Sequence, residues 1–356
     1  MIAFFLLALL QTPDSVALDA MRDSLAIRGV AVAVIRADGS RWVGTFGTSH
    51  PGAPITGETA FDVGSVGKMY TAAVILSLVH EGLLDLDAPI ARWLPEAPHA
   101  DAVTSRMLLT HTSGWADVWD DRSLVPQLVM APTRRWTAAD ILTATPAPTG
   151  APGAAWDYSS TGYVALGAIA ETVSGRSFDE LLRTRVLEPH ALGQTVHGAY
   201  ADPTLPVAHA WLDINNDGTA EDFTALIPAT SWRTAAGTAG AILTTASDLA
   251  TFTRAFVTGH VLGGSTSSAR DSSVRPFDSS SYWIQRPDGN HHGLGVLRTA
   301  LDGVELIGHR GNAAGYSAAA WHAPTLNVTI VVVTNGHGQV LIPLVQVALA
   351  SFGAER

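Results

Sequence analysis

Ser65 and Lys68 lie in the stretch Asp62-Val63-Gly64-Ser65-Val66-Gly67-Lys68, which runs directly into an apolar segment at 69–79. If Ser65 opens a helix there, the lysine amine falls one turn on and on the same face as the hydroxyl. A neutral amine in that position can take the proton of a serine nucleophile, provided burial or neighbouring cations lower its pKa. The chain sharpens the point, because Lys68 is its sole lysine among 21 cationic side chains. Arginine supplies fixed charge everywhere else and cannot give up its proton in a protein, whereas a desolvated lysine can. Two rival motifs fail here. A phosphate-binding loop would need Gly at 62 and Ser or Thr at 69, where Asp62 and Met69 stand. A nucleophile elbow would need Gly at 63, where Val63 stands.

Two further stretches carry groups that could serve such a serine. Tyr158-Ser159-Ser160 precedes a helical segment at 161–173. A tyrosine at the mouth of a cleft can shuttle a proton if a nearby ammonium lowers its pKa. Gly308-His309-Arg310-Gly311-Asn312 follows a strand expected at 304–308. Its glycines would let a substrate approach the backbone, whose N–H groups could face a developing oxyanion. Taken singly, these stretches read better as a core tyrosine with a serine cap and as a turn between strands.

The elements that must position these groups divide by texture. At the N-terminal end a helix at 16–28, stopped by Gly29, precedes strands at 30–35 and 41–46 joined by Asp38-Gly39, a hairpin signal. At the other end, strands are expected at 293–298, 304–308, 317–322 and 328–334, then a helix at 340–352. Helical period occupies 68–81, 161–173, 178–186 and 248–257, with Gly82, Gly175 and Gly259 as stops and Ser177 and Ser247 as N-caps. This predicts an α/β (α+β) protein. Residues 15–62 and 290–356 would form one antiparallel sheet flanked by the terminal helices, and 63–289 a mainly helical lobe, with the active site in the cleft between them. Residues 263–281, rich in Ser, Thr and Gly, read as a surface loop.

Composition narrows the function classes. A net charge of −11 with no basic run argues against nucleic acid as a partner. The absence of cysteine removes disulfides, thiolate metal sites and cysteine nucleophiles. The apolar opening at 1–10 is too short for a membrane span, which needs about 20 residues. It suits a leader over 1–14 on an exported protein, the alternatives being a misplaced start or a buried helix.

Ser-x-x-Lys, Tyr-Ser-x and His-x-Gly, in that order, resemble the motifs of the serine β-lactamase and penicillin-binding superfamily. Supporting stretches are Leu108-Leu109-Thr110-His111-Thr112-Ser113-Gly114, Thr244-Thr245-Ala246-Ser247-Asp248-Leu249, Gly293-Leu294-Gly295 and Thr334-Asn335-Gly336. The resemblance is closest to the branch of class C β-lactamases, D,D-carboxypeptidases, D-aminopeptidases and lactamase-like esterases. It implies acylation of Ser65, with Lys68 as base partner and Tyr158 as proton shuttle. His309 and Gly311 match the third motif, and the N–H groups of Ser65 and Asn312 would form the oxyanion hole. No cofactor and no metal are implied; the partner is a small-molecule or peptide substrate, and oligomeric state is left open. Two departures stand out. Ser160 replaces the usual Asn and lacks the amide that reaches a substrate acylamino group. Arg310 replaces the usual Thr, so it either binds a substrate carboxylate or points to solvent. The substrate therefore stays open between esters, D-amino-acid peptides and related amides. A non-catalytic penicillin-recognising sensor of the same fold is the alternative.

Other features read as structural. Asp213-Ile214-Asn215-Asn216-Asp217-Gly218 begins like a calcium loop, but Thr224 stands at the twelfth position, and a polar turn explains it better. His291, His292, His322 and His337 read as surface or strand residues. Among the tryptophans, Trp115 and Trp156 are expected to line the cleft, with Trp119 and Trp232 in packing roles.

Overall fold

The computed structural model describes residues 13–121, 123–200, 204–261, 275–277, 290–336, 338 and 341–353. Most of the expected leader, most of the 263–281 loop and His337 lie outside them. No helix among the described residues is long and apolar enough to cross a membrane.

In chain order the strands are β1 (Gly29–Ile35), β2 (Arg41–His50), β3 (Ala53–Pro54), β4 (Phe61–Asp62), β5 (Thr195–His197), β6 (Trp211–Leu212) and β7 (Glu221–Asp222). There follow β8 (Ile242–Thr244), β9 (Arg275–Phe277), β10 (Asn290–His292), β11 (Leu297–Leu301), β12 (Val304–Ala313), β13 (Tyr316–Ala323) and β14 (Val328–Thr334). The helices are α1 (Pro13–Ser24), α2 (Gly67–His80), α3 (Ser105–Leu109), α4 (Leu124–Met130), α5 (Ala138–Ala144) and α6 (Ser160–Ser174). After them come α7 (Phe178–Leu182), α8 (Phe223–Leu226), α9 (Thr230–Ala236), α10 (Ala246–Val257) and α11 (Ile342–Phe352).

Among the described residues, the first and last strands sit side by side, third and fourth in a nine-stranded sheet ordered β3-β2-β1-β14-β13-β12-β11-β10-β9. β1 and β14 pair antiparallel, with Val32 opposite Val332. Both are buried along their whole length, which is why they read as unbroken apolar runs. Alternate residues serve opposite faces. Val30, Val32 and Val34 join Leu18 of α1 and Leu344, Val345 and Ala348 of α11 in one apolar layer. Ala31, Ala33 and Ile35 face the second layer with α2, α6 and α10. At the centre of that layer α2 is buried on nearly all sides.

Local chemistry explains where the expected boundaries moved. The strand expected at 293–298 splits, because Gly293 donates to the Val296 carbonyl in a turn. Gly295 there has φ +79°, and a Cβ on it would lie 2.3 Å from that of Ala72 in α2. β12 does not stop at Gly308 but runs on to Ala313, so His309 to Asn312 lie within the strand. Helix α10, expected in the helical lobe, packs across β1 and β14. It is capped by Thr245 rather than Ser247, since the Thr245 hydroxyl accepts from the Asp248 N–H. Ser177 caps α7 and Gly175 ends α6 at φ +67°, both as expected. Asp213 and Asn215 spend side-chain oxygens on the N–H groups of Asp217 and Gly218, which makes 213–218 a self-bonded turn.

Candidate active site

Ser65 sits in a single 3₁₀ turn, Gly64–Val66, immediately ahead of α2. The turn is pressed against β12. A Cβ on Gly64, whose φ is +50°, would lie 2.3 Å from the Asn312 carbonyl oxygen, and one on Gly311 would lie 2.8 Å from the Ser65 nitrogen. Bare backbone on both sides lets the serine and strand segments touch, so the Asn312 nitrogen comes close to the serine turn.

Lys68 occupies the first turn of α2 and is 1 % exposed. Its Nζ lies 3.1 Å from Ser65 Oγ, 3.2 Å from Ser160 Oγ and 3.0 Å from the Ala239 carbonyl oxygen. Burial lowers its pKa to about 8, with Asp117 opposing that shift. A fair fraction of the amine is therefore neutral near physiological pH.

Tyr158 immediately precedes Ser159, whose hydroxyl caps α6 by accepting from the Gly162 N–H. The tyrosine ring lies 4.3 Å, centroid to centroid, from the His111 imidazole, and Lys68 Nζ lies 4.9 Å from its centroid. Its hydroxyl is hydrogen-bonded to Ser65. The sequence suggested that an ammonium would lower the tyrosine's pKa. Instead burial raises it well above 10, and Asp117 adds to the rise against the Ser65 bond and Arg310. Tyr158 thus keeps its proton at neutral pH and can donate it.

His309 is buried in mid-strand, and its Nδ1–H donates to the Arg310 carbonyl oxygen. Burial drives its pKa well below 6.5, reinforced by His292 and Lys68, so the ring is neutral. It lines a polar cavity of about 430 Å³ with Ser65, Asp117, Asp120, Trp156 and Tyr158. Arg310, half-buried, lines the same cavity, which it shares with the carboxylates of Asp120 and Asp157. Behind Tyr158, His111 and His292 complete a group of neutral imidazoles. His111 Nδ1 accepts from the Ser159 N–H, and its ring packs edge-on against His292 at 4.5 Å. His292 is thus a buried strand residue, as is His322, and neither lies on the surface.

A second cavity of about 450 Å³ opens from Ser65 and Lys68 toward Trp119, Trp232, Phe223, Leu212 and Ile227. The two indoles are nearly parallel, with ring centroids 6.3 Å apart. This corrects the expected tryptophans. Trp115 is buried, its Nε1–H donating to the Pro98 carbonyl, and only Trp156 of the expected pair reaches either cavity.

Ser65, Lys68, Tyr158, Ser160, His309, Arg310, Gly311 and Asn312 all border the two cavities. Asp117 was not singled out from the sequence. Its buried carboxylate accepts from Ser160 Oγ at 3.1 Å and from the Trp119 N–H at 3.1 Å. It sits in an ordinary loop sequence, and nothing local marks it. The Ala239 carbonyl was equally invisible. Among the described residues no group of three or more His, Asp or Glu side chains is arranged to hold a metal ion.

A beta-lactamase family model matches residues 17–342. The chain belongs to the beta-lactamase family. This family member is 31% identical over 338 residues to "Penicillin-binding protein 4" of Amycolatopsis lactamdurans, covering 89% of this chain and 83% of that one. It is 34% identical over 158 residues to "Esterase EstB" of Burkholderia gladioli, over 39% of this chain and 38% of that one. The solved D-stereospecific amidohydrolase from Streptomyces superposes with a TM-score of 0.78 at 26% identity, covering 94% of this chain and 96% of that one. D-amino acid amidase from Ochrobactrum anthropi SV3 shares the fold with a TM-score of 0.82 at 22% identity, over 96% and 99%. Family and neighbours make the protein a hydrolase of the serine beta-lactamase and penicillin-binding type.

Proposed function

We propose that this chain hydrolyses esters or D-amino-acid amides with a bulky apolar acyl group, through an acyl-enzyme on Ser65. The observation that carries the reading is the buried Lys68 amine 3.1 Å from Ser65 Oγ, with its pKa brought down to about 8. The Ser65 O–H bond breaks, its proton passes to the Lys68 lone pair, and Oγ bonds to the substrate carbonyl carbon. The carbonyl π pair moves to oxygen, opposite the N–H groups of Ser65 and Asn312. When the tetrahedral intermediate collapses, the bond to the leaving group breaks. The leaving atom takes the proton of Tyr158, which the Lys68 ammonium then replaces. Water repeats the sequence on the acyl-enzyme and restores Ser65.

The apolar cavity between Trp119 and Trp232 supports the acyl-group preference, because large aromatic walls gain most from a bulky apolar ligand. The likeness to an esterase and a D-stereospecific amidohydrolase supports the two leaving-group classes. The test is hydrolysis of p-nitrophenyl acetate and butyrate, a D-phenylalanine anilide, nitrocefin and a D-Ala-D-Ala peptide by the purified protein. Turnover of the ester or the anilide is expected. Stoichiometric acylation without turnover on all of them would favour the sensor reading instead.

A further inference from the structure

Lys68 has three polar partners, and their hydrogen-bonding capacities differ. The Ala239 carbonyl oxygen can only accept. Ser160 Oγ gives its hydrogen to Asp117 Oδ2 and turns a lone pair to Lys68. A neutral amine has two N–H bonds and one lone pair, so these two acceptors consume both hydrogens. The remaining tetrahedral position, the lone pair, faces Ser65 Oγ.

We infer that Asp117, acting through the Ser160 hydroxyl, is a positioning residue that holds the Lys68 lone pair toward Ser65. The inference rests on the hydrolase reading above and adds the device that aims its base. Asp117 is suited to the task as a carboxylate, because it receives three donors: the Trp119 N–H, the Ser160 N–H and the Ser160 hydroxyl. Burial pushes the Asp117 pKa up, and the Lys68 charge and these donors oppose the rise; as a carboxylate it accepts from Ser160 and offers no hydrogen in return. Were the Ser160 hydroxyl to rotate its hydrogen toward Lys68, the lone pair would follow it and an N–H would face the nucleophile. The asparagine usual at this position carries a carbonyl oxygen that accepts without help. A rotatable serine hydroxyl needs a partner to fix its direction, and Asp117 is that partner.

The surroundings single out the same carboxylate. Tyr158 and Tyr163 approach Lys68 with their rings. His111, His292 and His309 are kept neutral by burial. Arg310 lies beyond Tyr158, and Asp62, across the cavity, is paired with Arg233 at 3.7 Å. Asp117 is the anion whose field counters the desolvation of Lys68.

The sole lysine makes the test direct, because protein grown on ¹³Cε-lysine gives one side-chain methylene signal to titrate. Alongside it, Ser65 acylation by a fluorophosphonate is followed by intact mass across pH. Asp117→Asn should lower the Lys68 midpoint by about one pH unit, since a favourable charge is removed. It should also slow acylation roughly tenfold on the high-pH plateau, where all the amine is neutral but no longer aimed. Ser160→Ala should slow the plateau similarly, and the double variant should be no slower than Ser160→Ala alone. An unmoved midpoint, or plateau penalties that multiply in the double variant, would overturn the inference. If Asp117→Asn fails to fold, Ser160→Thr and Ser160→Ala decide it. Thr keeps the hydroxyl and should keep the rate, whereas equal rates for Thr and Ala would refute the relay. Failure of the wild-type protein to label would count against the hydrolase reading alone, because the lysine titration is independent of it.

Discussion

A Cβ on Gly311 would stand 2.0 Å from the carbonyl oxygen of Val63. With the approach of Gly64 to Asn312, this closeness ties the strand of the third motif to the turn that presents Ser65. Gly311→Ala should therefore force the two segments apart, costing about 1–3 kcal/mol of stability as overpacking does. Activity should fall further than stability, because Ser65 and Asn312 would separate. Thermal unfolding and ester kinetics on the same preparation check this, and a fully active variant would show the approach to be dispensable.

Ser65→Ala should abolish turnover and the mass increase on fluorophosphonate treatment while leaving the unfolding temperature close to that of the parent. Residual steady turnover would require a different nucleophile.

The pH profile follows from Lys68. Its pKa is lowered by burial to about 8, and the neutral form is the proposed base, so kcat/KM should rise with pH through that value. At two pH units below the midpoint the rate should be about a hundredfold under the plateau, from the neutral fraction alone. Lys68→Arg, whose guanidinium keeps its proton, should be inactive at every pH. A profile flat between pH 6 and 9 would contradict the role.

Tyr158→Phe keeps the ring that packs on His111 and removes only the donor hydroxyl. A fall in kcat of about 10²- to 10⁴-fold is expected, the usual range for loss of a general acid. The loss should be smaller for p-nitrophenyl esters, whose leaving group needs no proton, than for anilides. Equal losses on both would move Tyr158 out of the acid role.

Trp119→Ala and Trp232→Ala each remove one aromatic wall of the cavity beside Ser65. Each should cut kcat/KM for long-chain or aromatic acyl esters by about 10- to 100-fold, with p-nitrophenyl acetate little affected. Comparing the acyl series in wild type and variants measures the shift, and parallel losses on acetate would place the walls outside substrate contact.

How much of this was legible before the structure depended on whether the signal was local. Ser65 and Lys68 could be read because one helical turn fixes their geometry. β1 and β14 could be read because burial on both faces leaves an apolar run. Asp117 and the Ala239 carbonyl were silent, since each acts through a partner distant in sequence, and a backbone oxygen carries no residue type at all. Tyr158 shows the opposite fault. Its neighbours were anticipated, but the depth of burial that sets its pKa is a property of the packed lobes. The exchange of Trp115 for Trp119 and Trp232 has the same cause, because which face of an irregular loop turns inward is decided by what packs behind it.

The pairing of β1 with β14 also bears on when activity can exist. The strand made first has its neighbour in the strand made last, and Lys68 takes contacts from segments around 160 and 239. Such distant pairings pay their loop-closure cost before any contact rewards it. A growing chain would therefore carry Ser65, the proposed nucleophile, for most of its synthesis without the Lys68 contacts or the β12 segment that the proposed mechanism needs. On the proposed mechanism, hydrolytic competence would arrive only with completion of the C-terminal strands, and the partly made protein would be chemically inert.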